Sequence, residues 1–148
     1  CSCGIKSREE CQYMQYIAIV KEAENYEYAS VHRLRVDAYC LQHPDIHLIS
    51  SKSFFAHLLG MCIAMDYNND PNLFKAIEKW GYGKNQVEKP IMLGYFGDIT
   101  ISHIINAKDG LEYRELVKEW AKSVWDAYKI YHELAHSLIK KAQKEYYD

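Results

Sequence analysis

The stretch LEYRELVKEWAKSVWDAYKIYHELAHSLIKKAQKEY, residues 111–146, contains neither Gly nor Pro. Within it Leu116, Trp120, Val124, Ala127, Tyr131, Leu134 and Leu138 recur at steps of three and four residues, the period of one helix face. This pattern predicts one continuous final helix from about Leu111 to Tyr146. Trp120, Val124 and Leu134 should then be buried, and Lys118, Lys122 and Lys140 solvated. A chain with such a helix and only 7 Gly and 3 Pro lacks the turn residues of an all-β protein. The expected fold is all-α: a compact bundle of five to six helices with a long C-terminal helix.

Moving back along the chain, Asp109-Gly110 separates this helix from a short one that starts at Asp98 or Thr100 and ends near Asn106. Gly81 to Gly97 is the one long irregular stretch. Before it, Asp70-Pro71 opens a helix that ends at Trp80, since Pro suits the first helical position and Gly the stop. The cluster from Ser50 to Ser53 caps a helix carrying Phe54, Phe55, Leu58, Leu59, Met61, Cys62, Ile63 and Met65. It is apolar on all sides, so it should be central, with Phe54, Leu58 and Met61 deeply buried. An earlier helix runs from about Tyr28 to Gln42 and stops because Pro44 disfavours helical geometry at His43. The first helix opens at Ser7, whose capping box ends in Glu10, and runs to about Asn25. Its inner face carries Cys11, Met14, Ala18 and Ile17. Cys1 to Lys6 is a non-helical start. The whole, residues 1–148, is expected to be a single helical domain with a Cys-containing N-terminal segment 1–6.

Composition narrows the functional classes. The 148 residues are 49% hydrophobic and 26% charged, with a formal net charge of −2. That balance offers no electrostatic attraction to nucleic acid, so no nucleic-acid partner is expected. No apolar run reaches the length of a membrane span, and no basic segment followed by an apolar one opens the sequence, so no signal peptide is expected. Five cysteines cannot all pair with one another. A reduced, cytoplasmic setting is therefore expected, with thiols free or on metal. A protein partner or a homo-oligomer stays open.

The chemistry-bearing residues are histidines and cysteines. The seven histidines are His32, His43, His47, His57, His103, His132 and His136. Imidazole and thiolate are the usual ligands of zinc. If the first two helices lie antiparallel, Cys1 and Cys3 come near His43, with His47 in the following loop and His57 two turns into the next helix. Cys3, His43 and His57 are then the expected ligand core, completed by Cys1 or His47. Cys3-Gly4 is half of a zinc-knuckle pattern, although only Ser2 separates the two cysteines. A competing arrangement pairs His32 with His132 between the second and last helices. A metal-dependent hydrolase is a further alternative, because His132-Glu133-Leu134-Ala135-His136 matches H-E-x-x-H, two zinc-binding histidines with Glu133 as general base. A metal-free module that binds a protein through its aromatic surface is the third. Cys40 and Cys62 fall on apolar helical faces and read as small hydrophobes. Asp37 is rotated away from His32 and is expected to pair elsewhere, with Arg33 or Arg35.

Three blocks carry a family resemblance. They are His32-x-Leu34-x-Val36-Asp37-Ala38-Tyr39-x-x-Gln42-His43-Pro44, then Ser53-x-x-Ala56-His57-Leu58-x-Gly60, then Trp120-Ala121-x-Ser123-Val124-Trp125-x-Ala127 with His132 beyond. They resemble a bacterial family of unknown function, domain-of-unknown-function family 5946. Its members typically begin Cys-Pro-x-Cys-Gly; here Cys3-Gly4 matches and Cys1 stands one residue too close. The resemblance marks Cys3, His32, Asp37, Gln42, His43, His57 and His132 and implies no established activity. Glu133 and His136 lie outside its pattern. The functional expectation is a metal-binding helical protein, with zinc as the metal and its activity unknown.

Overall fold

Ser7 accepts a hydrogen bond from the Glu10 N–H and starts α1 (Arg8–Glu24). Asn25 ends it and caps the single turn α2 (Tyr26–Ala29). Then follow α3 (His32–Gln42), the turn α4 (Pro44–His47), α5 (Ser51–Asp66) and α6 (Pro71–Gly81). After these come the turn α7 (Ile101–Ile104), α8 (Gly110–Ala127), a 3-10 turn at Lys129–Tyr131, and α9 (His132–Tyr147). This is a computed structural model describing residues 1–81 and 93–147. Most of the irregular stretch predicted at Gly81 to Gly97, with Pro90, lies outside the described residues. Among those described, six helices exceed one turn and no strand occurs, so the all-α bundle is correct.

α5 is the central element. Phe54, Leu58, Met61, Cys62 and Ile63 are completely buried, as its all-round apolarity requires. It packs on α3, α6, α8 and α9. Trp120 and Val124 are equally buried, while Lys118, Lys122 and Lys140 are exposed.

Two sequence expectations need correction. The helix expected from Tyr28 to Gln42 is split into α2 and α3. The long final helix is broken at Tyr128–Tyr131, so α8 and α9 are separate. No Gly or Pro marks that second break; aromatic anchoring and a side-chain cap hold it instead. The Tyr128 hydroxyl donates to Leu41 O at 2.6 Å from a fully buried position. His132 Nε2 lies 2.8 Å from Trp125 O, and its ring stacks on the Trp125 indole at 3.7 Å. It thus adds a second donor to a carbonyl in the last turn of α8, which the Tyr128 N–H also reaches at 3.0 Å. The break also shifts register: Leu134, expected in the core, is 37% exposed.

Two polar networks tie the helices together. The first joins α1, α3 and α8. Glu22 takes a bidentate pair from Arg35 (2.6 and 3.0 Å), the Tyr113 hydroxyl at 2.9 Å and His32 Nδ1 at 2.7 Å. The Glu22 and Arg35 side chains are 3% and 1% exposed, so each charge depends on the other. In the second, Gln42 donates from Nε2 to Phe96 O and Ile99 O (3.0 and 2.7 Å) and accepts from Trp120 Nε1 at 2.9 Å. It fastens the segment before α7 to the core.

Breaking a buried ion pair by removing one partner is costly because it strands the other charge. Glu22→Ala is expected to lower the unfolding free energy by about 3–5 kcal/mol in urea denaturation. An unchanged midpoint would show that water reaches Arg35.

Candidate metal centre

At the end of the bundle where α3 terminates, four side chains converge. One donor atom each from Cys1, Cys3, Cys11 and His43 lies within 4.8 Å of all the others. The cysteines come from two local structures. Residues 1–4 form a turn closed by the Gly4 N–H on Cys1 O at 3.0 Å, with Gly4 at φ +93°, where a side chain would be strained. This turn sets Cys1 Sγ and Cys3 Sγ 3.6 Å apart. Cys11 lies on the inner face of α1, one turn past the Ser7 cap, with Sγ 3.7 Å from Cys3 Sγ. His43 is the residue at which α3 stops, and its Nε2 is 3.1 Å from Cys11 Sγ.

The ligand set is held by its surroundings. His43 Nδ1 donates to Tyr39 O at 2.6 Å, and the ring stacks on Tyr39 with centroids 4.1 Å apart. A proton fixed on Nδ1 leaves the Nε2 lone pair facing the sulfurs, the arrangement metal-binding histidines adopt. The Ser2 hydroxyl donates to Gln42 O at 2.8 Å, and Arg8 pairs with Asp45 at 2.8 Å on the surface. The first ties the N-terminal segment to the end of α3, and the second ties the start of α1 to α4.

Charge and spacing favour a cation. Cys3, Cys11 and His43 are buried; Cys1 is exposed. The Cys3 thiol is held far below its ordinary value, chiefly by its hydrogen bond with Cys11, against the penalty of burial. The Cys11 thiol is pushed up by that same hydrogen bond and by burial. Ionising every thiol requires a positive charge at the centre of the group. Tetrahedral zinc bonds of 2.0–2.3 Å place neighbouring ligands about 3.3–3.8 Å apart. The sulfur–sulfur separations of 3.6 and 3.7 Å fall in that range, and the sulfur–nitrogen separation of 3.1 Å lies just below it.

The structure brings Cys1, Cys3 and His43 together, and adds Cys11, which the sequence pattern assigns to the apolar face of the first helix. The signal for Cys11 was its position: the Ser7 cap fixes where α1 begins and therefore which end of the bundle Cys11 reaches. The other histidines expected at a metal turn elsewhere. His57, expected in the ligand core, is not in the group; its Nδ1 sits 2.9 Å from Asp37 Oδ1. Asp37 also takes Arg33 Nε at 3.1 Å, one of its two expected partners. Gly60 makes this approach feasible, since a Cβ there would collide with Asp37 Oδ2. His47 lies edge-on to Tyr39 at 5.6 Å, and burial, with His43 and His57 nearby, pushes its pKa down. His32 is bound to Glu22 and His132 to Trp125, so the two are not paired with each other. His136 meets Asp66 and Tyr67, and Glu133 is exposed. The two histidines of the H-E-x-x-H segment therefore serve different partners.

The family model described as a family of unknown function (DUF5946) matches residues 1–129, so the chain belongs to that family. The match includes all four members of the Cys/His group and ends before His132, Glu133 and His136. No curated protein and no solved structure matches the chain.

His57 has a measurable signature. Burial opposes its charge, but hydrogen bonds with Asp37 and Cys40 more than offset this and raise its pKa to about 9. An unfolded histidine titrates near 6.5, so the folded state holds the proton more tightly. The resulting stabilisation is complete below about pH 6.5 and is lost as pH rises through about 9. The stability difference between the wild type and His57→Gln should shrink across that window in denaturation measured at a series of pH values. A difference that grows with pH would refute the His57–Asp37 ion pair.

Proposed function

We propose that Cys1, Cys3, Cys11 and His43 bind one zinc ion and that this centre is structural. The observation carrying this reading is the convergence of three sulfurs and an oriented imidazole nitrogen within 4.8 Å of one another. A donor set rich in thiolate selects a soft or borderline ion, and tetrahedral S/N coordination is typical of zinc. Four protein ligands leave no position for water, so such a centre holds structure and performs no hydrolysis. Its mechanical effect follows from where the ligands lie. Cys1 and Cys3 belong to the non-helical start, Cys11 to α1 and His43 to the end of α3. One ion would clamp the N-terminal segment across two helices. Thiolates on zinc also suit a reducing compartment such as the cytoplasm.

The protein purified without added metal should contain zinc, and Cys11→Ser should lower that content by one ion per chain in elemental analysis. Chelation should expose Cys1 and Cys3 to a thiol reagent while circular dichroism retains the helical signal. Equal zinc in the wild type and Cys11→Ser would refute the centre. Loss of all helical signal on chelation would refute its local, clamping role.

A further inference from the structure

The opposite end of α5 carries a second group of ligating side chains that shares no residue with the first. Cys62 and Asp66 lie one turn apart on α5, and His136 faces them from α9. One donor atom from each lies within 4.8 Å of the others. The His136 ring is engaged at both nitrogens: Nε2 is 2.9 Å from Asp66 Oδ2, and Nδ1 is 2.9 Å from Tyr67 Oη and 3.8 Å from Cys62 Sγ. Cys62 is fully buried, whereas the side chains of His136 and Asp66 are 34% and 35% exposed. The group thus has a closed floor and an open rim.

We propose that Cys62, Asp66 and His136 form a second metal site, for a divalent ion of the zinc class, with one coordination position open to solvent. Thiolate, imidazole and carboxylate are the three zinc ligand types, and here one of each is supplied by two packed helices. The sulfur lies against Nδ1 and the carboxylate against Nε2, so binding one ion requires the His136 ring to turn and present a single nitrogen to both. Tyr67 Oη, 2.9 Å from Nδ1, can accept from that N–H when Nε2 ligates and so hold the ring, as outer partners of metal-binding histidines do. Charge balance agrees: a thiolate and a carboxylate against a divalent ion give a neutral site. Three protein ligands with a fourth position for water is the count found in catalytic zinc sites, in contrast to the closed N-terminal set. His136, the second histidine of the H-E-x-x-H segment, acquires a ligand role in this way without His132 or Glu133.

The test is anaerobic cobalt(II) titration of the full chain after chelation, following sulfur-to-cobalt charge transfer and binding stoichiometry. Two equivalents are expected for the wild type and one each for Cys62→Ala and Asp66→Asn. Cys11→Ser should lose the other equivalent. Asp66→Asn alters a partly exposed residue, and an unchanged circular dichroism spectrum separates a lost ligand from a lost fold. Equal stoichiometry in the wild type, Cys62→Ala and Asp66→Asn overturns the second site and leaves a hydrogen-bonded tie between α5 and α9. One equivalent in the wild type and none in Cys62→Ala supports it while refuting the N-terminal centre, so the two readings fail separately.

Discussion

The buried pair between Glu22 and Arg35 fixes the register on which the candidate metal centre depends. α1 and α3 run antiparallel, with Glu22 against His32 and Arg35 near one end of the pairing and Cys11 against His43 at the other. A slide of either helix by one turn would move its side chains about 5.4 Å along the axis. That would separate Glu22 from Arg35 and Cys11 from His43 together. An ionised carboxylate cannot be left in a low-dielectric interior without its partner, so the slide is strongly disfavoured. The Tyr113 hydroxyl on Glu22 extends the same constraint to α8. The position of the Cys11 sulfur is in this sense set by a salt bridge at the far end of the helix that carries it.

Much of the architecture was legible because it rests on local chemistry. Ser7, Ser50 and Pro71 mark helix starts through their own hydrogen-bonding or backbone geometry, and all three do so in the structure. The uniform apolarity of α5 announces a central helix. The break between α8 and α9 was not legible, because no residue in it is a breaker. It exists because Tyr128 reaches Leu41 O and His132 reaches Trp125 O, and both are tertiary or side-chain contacts without a periodic signal. Continuing the helical period through such a break assigns Leu134 to the core when it is partly exposed.

The Cys/His group was half legible for a related reason. Topology predicts which chain ends meet, and it correctly placed Cys1, Cys3 and His43 at one end of the bundle. It does not predict which way a side chain points around a helix. Asp37 and His43 are six residues apart, a rotation of about 120° around the axis of α3. His57 packs on the Asp37 side and so turns away from the sulfurs. Cys11 was hidden by the opposite problem: a cysteine on an inner helical face has the same pattern whether it is a small hydrophobe or a thiolate ligand. Only the nearby Cys3 sulfur and His43 nitrogen distinguish the two.

The same test of direction explains why spacing motifs transfer poorly to this fold. His132 and His136 stand one turn apart on α9, the spacing that suits a zinc clasp. Yet His132 lies flat on Trp125, where its ring area and its N–H are both used by the kink. A histidine committed to a backbone carbonyl through Nε2 cannot offer that nitrogen to an ion. His43 illustrates the alternative: its carbonyl contact is made through Nδ1, and this leaves Nε2 available. The difference between His132 and His43 is thus which ring nitrogen the backbone takes. That choice follows from where the residue stands relative to the end of its helix. His43 closes α3 and reaches back four residues to Tyr39 O, whereas His132 opens α9 and reaches back across the kink to Trp125 O.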